Sequence, residues 1–173
     1  MKRRSFLGAA CACLVGTMIA SKVIASETMK KLTLSEEEWK KRLTKEQFRV
    51  LRDEGTERSL SSDLNYEKRE GTFVCAGCNT PLFSSETKYE SGTGWPSFFA
   101  PIEGAVETKL DFKMFIPRTE YHCATCGGHQ GHVFNDGPKP QGTRYCINSA
   151  ALRFIPKERL SELGYGAYEH LFD

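Results

Sequence analysis

Apolar positions follow two different rhythms along this chain. Trp39, Leu43, Phe48 and Leu51 recur at helical spacing, whereas from Gly71 onward apolar residues fall in short runs broken by Gly, Pro, Asn and Asp. Ser35-Glu36-Glu37-Glu38 and Thr44-Lys45-Glu46-Gln47 both fit the capping box, in which a hydroxyl and the third helical side chain satisfy free amides. The pattern predicts helices near 36–42 and 45–53, the second stopped by Gly55, with those four apolar residues as the buried contacts. Extended runs follow: TFVCAGC, PLFSS, FFAPIEG, AVETKLDFKMFIPRTEYHC, GHVFNDGP and TRYCINSAALRFIP. They predict a mainly β, predominantly antiparallel domain. A last short helix is expected over 157–163, ending before Gly164, and residues 26–34 read as a loose lead-in.

With 173 residues and 39% hydrophobic content, the chain can bury one core, so a single domain over 35–173 and a monomeric state are expected. Residues 1–25 stand apart. Lys2-Arg3-Arg4 is a basic head, and Phe6 to Ala20 is an apolar stretch too short for a comfortable transmembrane span. The run from Lys2 to Gly8 resembles a twin-arginine export signal, with a cleavage region around Val23 to Ser26, which predicts a periplasmic protein. The alternative is an uncleaved segment that tethers the domain to a membrane. Without Lys2, Arg3, Arg4 and Lys22, 20 basic residues face 22 acidic ones, a net charge of about −2. Bases and acids are interleaved after residue 26, so a concentrated nucleic-acid-binding surface is excluded.

Cys75-Ala-Gly-Cys78 and Cys123-Ala-Thr-Cys126 form two CxxC knuckles, the arrangement that closes a tetrahedral thiolate cage around one structural Zn²⁺. Three other readings compete. The pairs could be disulfides in an oxidising compartment, or one pair could be a redox-active dithiol. Cys123, Cys126, His129 and His132, each three apart, could also bind a metal alone. The repeated spacing favours the four-cysteine site.

Cys146 is the one cysteine beyond the export segment without a CxxC partner. In a strand, Arg144, Cys146 and Asn148 share one face, while Tyr145 and Ile147 face the core. A guanidinium beside the thiol should stabilise its thiolate and lower its pKa. Asn148 offers a neutral donor for a polar substrate atom. A buried, inert cysteine is the competing reading, but Arg and Asn on its own face would then need buried partners. His129 and His132 can exchange protons near neutrality, and Asp136 could orient one imidazole or pair with Arg144. In Ser91-Gly-Thr-Gly-Trp-Pro-Ser-Phe98, Pro96 keeps Trp95 out of helical geometry, which suits either a pocket wall or a core position.

Taken together, these stretches resemble the type B methionine sulfoxide reductases. The matching segments are Gly71–Cys78, Pro81–Tyr89, Ser91–Phe98, Arg118–Glu120, Gly128–Pro138 and Gly142–Leu152, within a resemblance spanning roughly residues 35–165. The resemblance implies two antiparallel sheets with short peripheral helices and a zinc held by Cys75, Cys78, Cys123 and Cys126. It also implies reduction of the R epimer of methionine sulfoxide, preferably in peptides. Cys146 would be the nucleophile, and Trp95, His129, His132, Asp136, Arg144 and Asn148 would build the substrate site, with either histidine as proton donor. Many members carry a resolving cysteine in the Ser-Gly-Cys-Gly-Trp-Pro turn, where this chain has Thr93. A sulfenic acid on Cys146 would therefore be recycled by an external thiol, such as a thioredoxin-type protein. A non-catalytic zinc-ribbon module would explain the CxxC pairs but not Cys146. A dithiol oxidoreductase would explain neither the second pair nor the isolated thiol.

Overall fold

The structure, a computed structural model, describes residues 31–114 and 116–173. The expected export segment and residues 26–30 lie outside the described residues. Helix α1 spans Glu36–Arg42 and α2 spans Lys45–Leu51, and both expected capping boxes are formed, at Ser35/Glu38 and Thr44/Gln47. Trp39, Leu43 and Leu51 are buried, Phe48 packs partly against the core, and Val50 adds a fifth contact. The stop of α2 differs from expectation. Glu54 takes the left-handed conformation, while Gly55 allows a close approach that a Cβ would block, 2.8 Å from the Arg49 carbonyl oxygen. The lead-in is also less loose than expected: Leu32 N–H donates to the Thr125 carbonyl (2.7 Å), and Leu32 and Leu34 pack on the core.

Nine strands follow among the described residues, all antiparallel: β1 (Gly71–Cys75), β2 (Pro81–Ser84), β3 (Lys88–Tyr89), β4 (Ser97–Phe98), β5 (Val106–Asp111), β6 (Arg118–Cys123), β7 (His129–Phe134), β8 (Arg144–Ile147) and β9 (Leu152–Pro156). They form a three-stranded sheet, β2-β1-β9, and a six-stranded sheet, β3-β4-β8-β7-β6-β5. Aromatic side chains join the two. Phe83 stacks on Phe98 at 4.3 Å between centroids, Phe73 meets Phe98 edge-on at 5.0 Å, and Phe83 meets Tyr121 edge-on at 6.1 Å. Each buried ring of this kind contributes roughly 1.5–3 kcal/mol by leaving water.

The run TRYCINSAALRFIP serves both sheets. It leaves the large sheet at Ile147, turns through a 3-10 segment at Ser149–Ala151, and enters the small sheet as β9. The expected helix over 157–163 is instead a 3-10 turn at Lys157–Arg159 and one further turn. Buried Leu160 anchors that turn, and it is closed by Tyr165 N–H to Leu160 O (2.7 Å) and Gly164 N–H to Ser161 O (3.2 Å), with Gly164 left-handed. The chain thus reverses before a helix can lengthen.

Candidate active site and metal centre

Strand β8 sits between β4 and β7, which places Ser97 on one side of Cys146 and His132 directly opposite on the other. Gly131, the neighbour of His132, faces Ile147; a Cβ there would lie 1.9 Å from the Cys146 carbonyl oxygen, so only glycine permits this pairing. Beside Cys146 opens a cleft of about 140 Å³, walled by Trp95, His132, Phe134, Asn148, Arg118 and Thr56.

The two histidines share a face because β7 is irregular. Residues three apart on a regular strand point to opposite faces. The β6–β7 register shifts between Tyr121 and His122, pairing His122 with His129 and Tyr121 with Gly131, so Gln130 has no opposite number. This bulge brings the two imidazoles to 5.4 Å between ring centroids. Their surroundings differ. His132 lines the cleft, and its Nε2 lies 2.7 Å from Asp111 Oδ2. Asp111 also accepts from Lys113 N–H (2.9 Å) and Arg118 Nη2 (2.7 Å), and these donors hold its carboxyl far below the usual carboxylate range. His129 is only 2% exposed and does not line the cleft. Its Nδ1 stands 3.0 Å from Glu120 Oε1 without a well-aligned hydrogen bond, and burial lowers its pKa against the opposing pull of Glu120.

Asp136 pairs with Arg144 rather than with an imidazole. The pair is bidentate, Nε to Oδ1 and Nη2 to Oδ2, both 2.8 Å, and the guanidinium lies 4.3 Å above the Phe134 ring. Burial raises the pKa of Cys146, and it outweighs the opposing influence of the nearby Arg144 guanidinium and Thr93 hydroxyl. The expectation of a net lowering is therefore corrected: the guanidinium acts as expected, but the half-buried position wins. Thr93, which also favours the thiolate, stands at the turn position noted above.

Asn148 borders the cleft, but its amide is largely committed to architecture. Oδ1 accepts from Glu57 N–H (3.0 Å) and Nδ2 donates to Gln130 O (2.9 Å). Trp95 is fixed through Nε1, which donates to Glu57 O (3.3 Å). Glu57 and Asp111 carry no signal in the sequence, and Arg118 enters there only within the matching segment Arg118–Glu120. Buried Glu57 accepts from the amides of Ser149 (2.6 Å) and Ala150 (2.9 Å), which clamps the turn after β8. Only the alternation of Arg118 and Glu120 on a strand beside the histidines hinted at the charged face of β6. Nothing local marks Glu57 or Asp111.

The four paired cysteines meet at the junction of the sheets, with their sulfurs all within 4.8 Å of one another. Cys75 and Cys126 sulfurs are 3.7 Å apart, and those of Cys78 and Cys123 3.5 Å. A tetrahedron with Zn–S bonds of about 2.3 Å has edges of about 3.8 Å, so the cage fits zinc. All four are free thiols rather than disulfides. Hydrogen bonding to Cys123 and Cys126, with burial, pushes the Cys75 thiol well above its ordinary value, a penalty that a coordinated cation would reverse. N–H donors already point at the sulfurs: Gln130 Nε2 at Cys75 (3.5 Å) and Arg52 Nη2 at Cys126 (3.7 Å). His129 and His132 stand on β7 and outside this cluster, so the Cys/His ligand set does not form.

A lone cleft thiol facing an imidazole, beside four thiols gathered into a closed cluster, defines a cysteine-dependent redox enzyme with a site for a structural metal. The SelR domain family matches residues 43–156. A peptide methionine sulfoxide reductase MsrB of Leptospira interrogans is 56% identical over 121 residues, covering 69% of this chain and 92% of that protein. The MsrB of Methanosarcina barkeri is 56% identical over 125 residues, 72% of this chain and 88% of that protein. A chloroplastic peptide methionine sulfoxide reductase of Arabidopsis thaliana is 53% identical over 128 residues, 73% of this chain and 63% of that protein. The chain belongs to the SelR family of MsrB reductases.

Proposed function

We propose that this protein reduces the R epimer of methionine sulfoxide in peptides, with Cys146 as nucleophile and His132 as proton donor. The observation that carries this reading is the pairing of Cys146 with His132 across β7 and β8, in a cleft walled by Trp95. The thiolate attacks the sulfoxide sulfur while a proton reaches the sulfoxide oxygen. Asp111 engages His132 Nε2, which leaves Nδ1 to exchange that proton. His129, buried against Glu120, is a positioning residue. Arg144 and Thr93 favour the thiolate against burial. The oxygen passes to the Cys146 sulfur, so thiol plus sulfoxide gives sulfenic acid plus thioether, and the enzyme sulfur loses two electrons. An external thiol condenses with the sulfenic acid, releasing water, and a second thiol frees Cys146 from the resulting disulfide. Thr93 at the neighbouring turn supports this route, because it supplies no second thiol.

Cys75, Cys78, Cys123 and Cys126 would hold one zinc with no open position, which gives the ion an architectural role only. The basic head and short apolar stretch of residues 2–20 support export through a twin-arginine route. Replacing Arg3 and Arg4 by Lys should hold the protein in the cytoplasm; unimpaired export would overturn that route. For the reaction, Cys146→Ser should abolish reduction of the R epimer with metal content intact. Retained turnover would refute the assignment.

A further inference from the structure

At the tip of the β5–β6 hairpin, Asp111 is buried and points inward to Arg118 and His132, while Lys113 is exposed and pairs with Glu54. The hairpin's apolar side chains turn to water at alternate positions, with Leu110 63%, Phe112 69%, Met114 59% and Ile116 75% exposed. A hairpin that only had to be soluble would show the reverse, and contiguous apolar surface of this kind marks a binding face. Behind Met114 and Ile116 runs a groove of about 640 Å³, completed by Pro117, Thr119 and Val133. Arg118 and Phe134 line both this groove and the catalytic cleft. The two are therefore neighbouring parts of one surface.

We infer that this groove binds the polypeptide next to the oxidised methionine, and that its ligand is an extended segment with aliphatic or aromatic residues flanking the sulfoxide. The inference rests on the sulfoxide-reductase reading and deepens it. The small cleft admits one side chain, so the chain that carries it must run out over the walls. On the Arg118–Phe134 wall it meets apolar surface. Methionines are most often buried among other apolar residues, and oxidation that makes the side chain polar disrupts such cores. A groove that wants apolar flanks thus selects locally unfolded clients over methionines on polar folded surfaces. A protein reductant must also reach the Cys146 sulfur, but only after product has left, whereas the substrate chain must cross this wall whenever its sulfoxide occupies the cleft.

The test compares three substrates, all as R epimers. They are capped methionine sulfoxide, a pentapeptide with Leu and Val around the sulfoxide, and one with Gly and Ser there. The full protein and the double variant Met114→Ser, Ile116→Ser are assayed with dithiothreitol as reductant. Both positions are exposed, so melting temperature and metal content should match the wild type. The wild type should favour the apolar peptide over the polar one by about tenfold in kcat/KM, the effect of burying roughly one aliphatic side chain. The variant should lose that preference through KM, leaving kcat and the capped substrate unchanged. The inference falls if the wild type shows no preference, or if all three substrates slow equally. It falls equally if the variant changes only saturation by a thioredoxin-type protein or binding to lipid vesicles. Failure of the wild type to reduce any of the three would instead overturn the reductase reading itself.

Discussion

Glu57 offers the sharpest test of how this site is held together. The residue is 7% exposed, and its carboxylate accepts from two backbone amides, Ser149 and Ala150, while its own N–H and C=O bind Asn148 and Trp95. Glu57→Ala removes both carboxylate acceptors and leaves two amide donors unpaired in the turn after β8. Each unsatisfied buried donor costs about 1–3 kcal/mol, so the loss should be about 2–5 kcal/mol after partial hydration of the exposed side. That is a large share of the roughly 5–15 kcal/mol typical of a whole domain. Glu57→Gln keeps one acceptor and turns an N–H₂ toward the other amide, so its cost should be intermediate. Because the residue's backbone also holds Trp95 and Asn148, activity should fall with stability even where the variant remains folded. Urea denaturation at fixed metal saturation measures the first effect, and kcat/KM for a sulfoxide peptide at low temperature the second. A Glu57→Ala protein within about 0.5 kcal/mol of wild type, the range of ordinary surface substitutions, would refute this reasoning.

The pH dependence follows from the raised Cys146 pKa: alkylation by iodoacetamide should climb as pH rises through the alkaline range, and a plateau at or below pH 7 would contradict the burial argument. Arg144→Met should raise that pKa further, slowing alkylation at pH 7 about tenfold or more; the freed Asp136 is exposed, so the melting temperature should barely move. Thr93→Cys places a thiol at the turn beside Cys146, and peptide mapping after one turnover should show a disulfide between that introduced thiol and Cys146, which the wild type cannot form. Structural zinc contributes about 10–16 kcal/mol in small domains, comparable with net domain stability. Stripped protein should therefore lose cooperative melting by circular dichroism, and metal analysis of native material should give one zinc per chain.

Local signals carried much of this architecture. The capping boxes identified both helices because their chemistry is complete within four residues. The knuckles identified the cage because two repeats of one spacing define it. Alternation along β8 separated Cys146 from its core-facing neighbours Tyr145 and Ile147. What escaped was relational. The bulge that lets His129 and His132, three apart, share a face is visible only in the β6–β7 register, where Gln130 is unpaired. Asp111 and Glu57 act across sheet pairing and a loop that no spacing announces. The Cys146 pKa went the other way because Arg144 is visible in sequence and burial is not. The helix expected over 157–163 failed because anchoring of Leu160 and the left-handed Gly164 reverse the chain within a turn.

The bulge explains why metal cage and reactive thiol belong to one device. Gln130, the extra residue, donates from Nε2 to Cys75 in the cage, while its carbonyl oxygen accepts from the backbone and side chain of Asn148 beside the cleft. The same insertion turns His132 toward Cys146 and His129 toward Glu120. A metal closing the cage would therefore do two things at once. It would withdraw four thiols from redox chemistry by making them ligands, and it would brace the irregular strand that sets the imidazole opposite the fifth. A regular β7 would keep its hydrogen-bond ladder, but the two histidines would then face opposite sides of the sheet, and the link from cage to Asn148 would be broken. Disturbance at either end should accordingly reach the other through this one residue, which is why loss of metal is expected to impair the thiol site even though the ion itself touches no substrate.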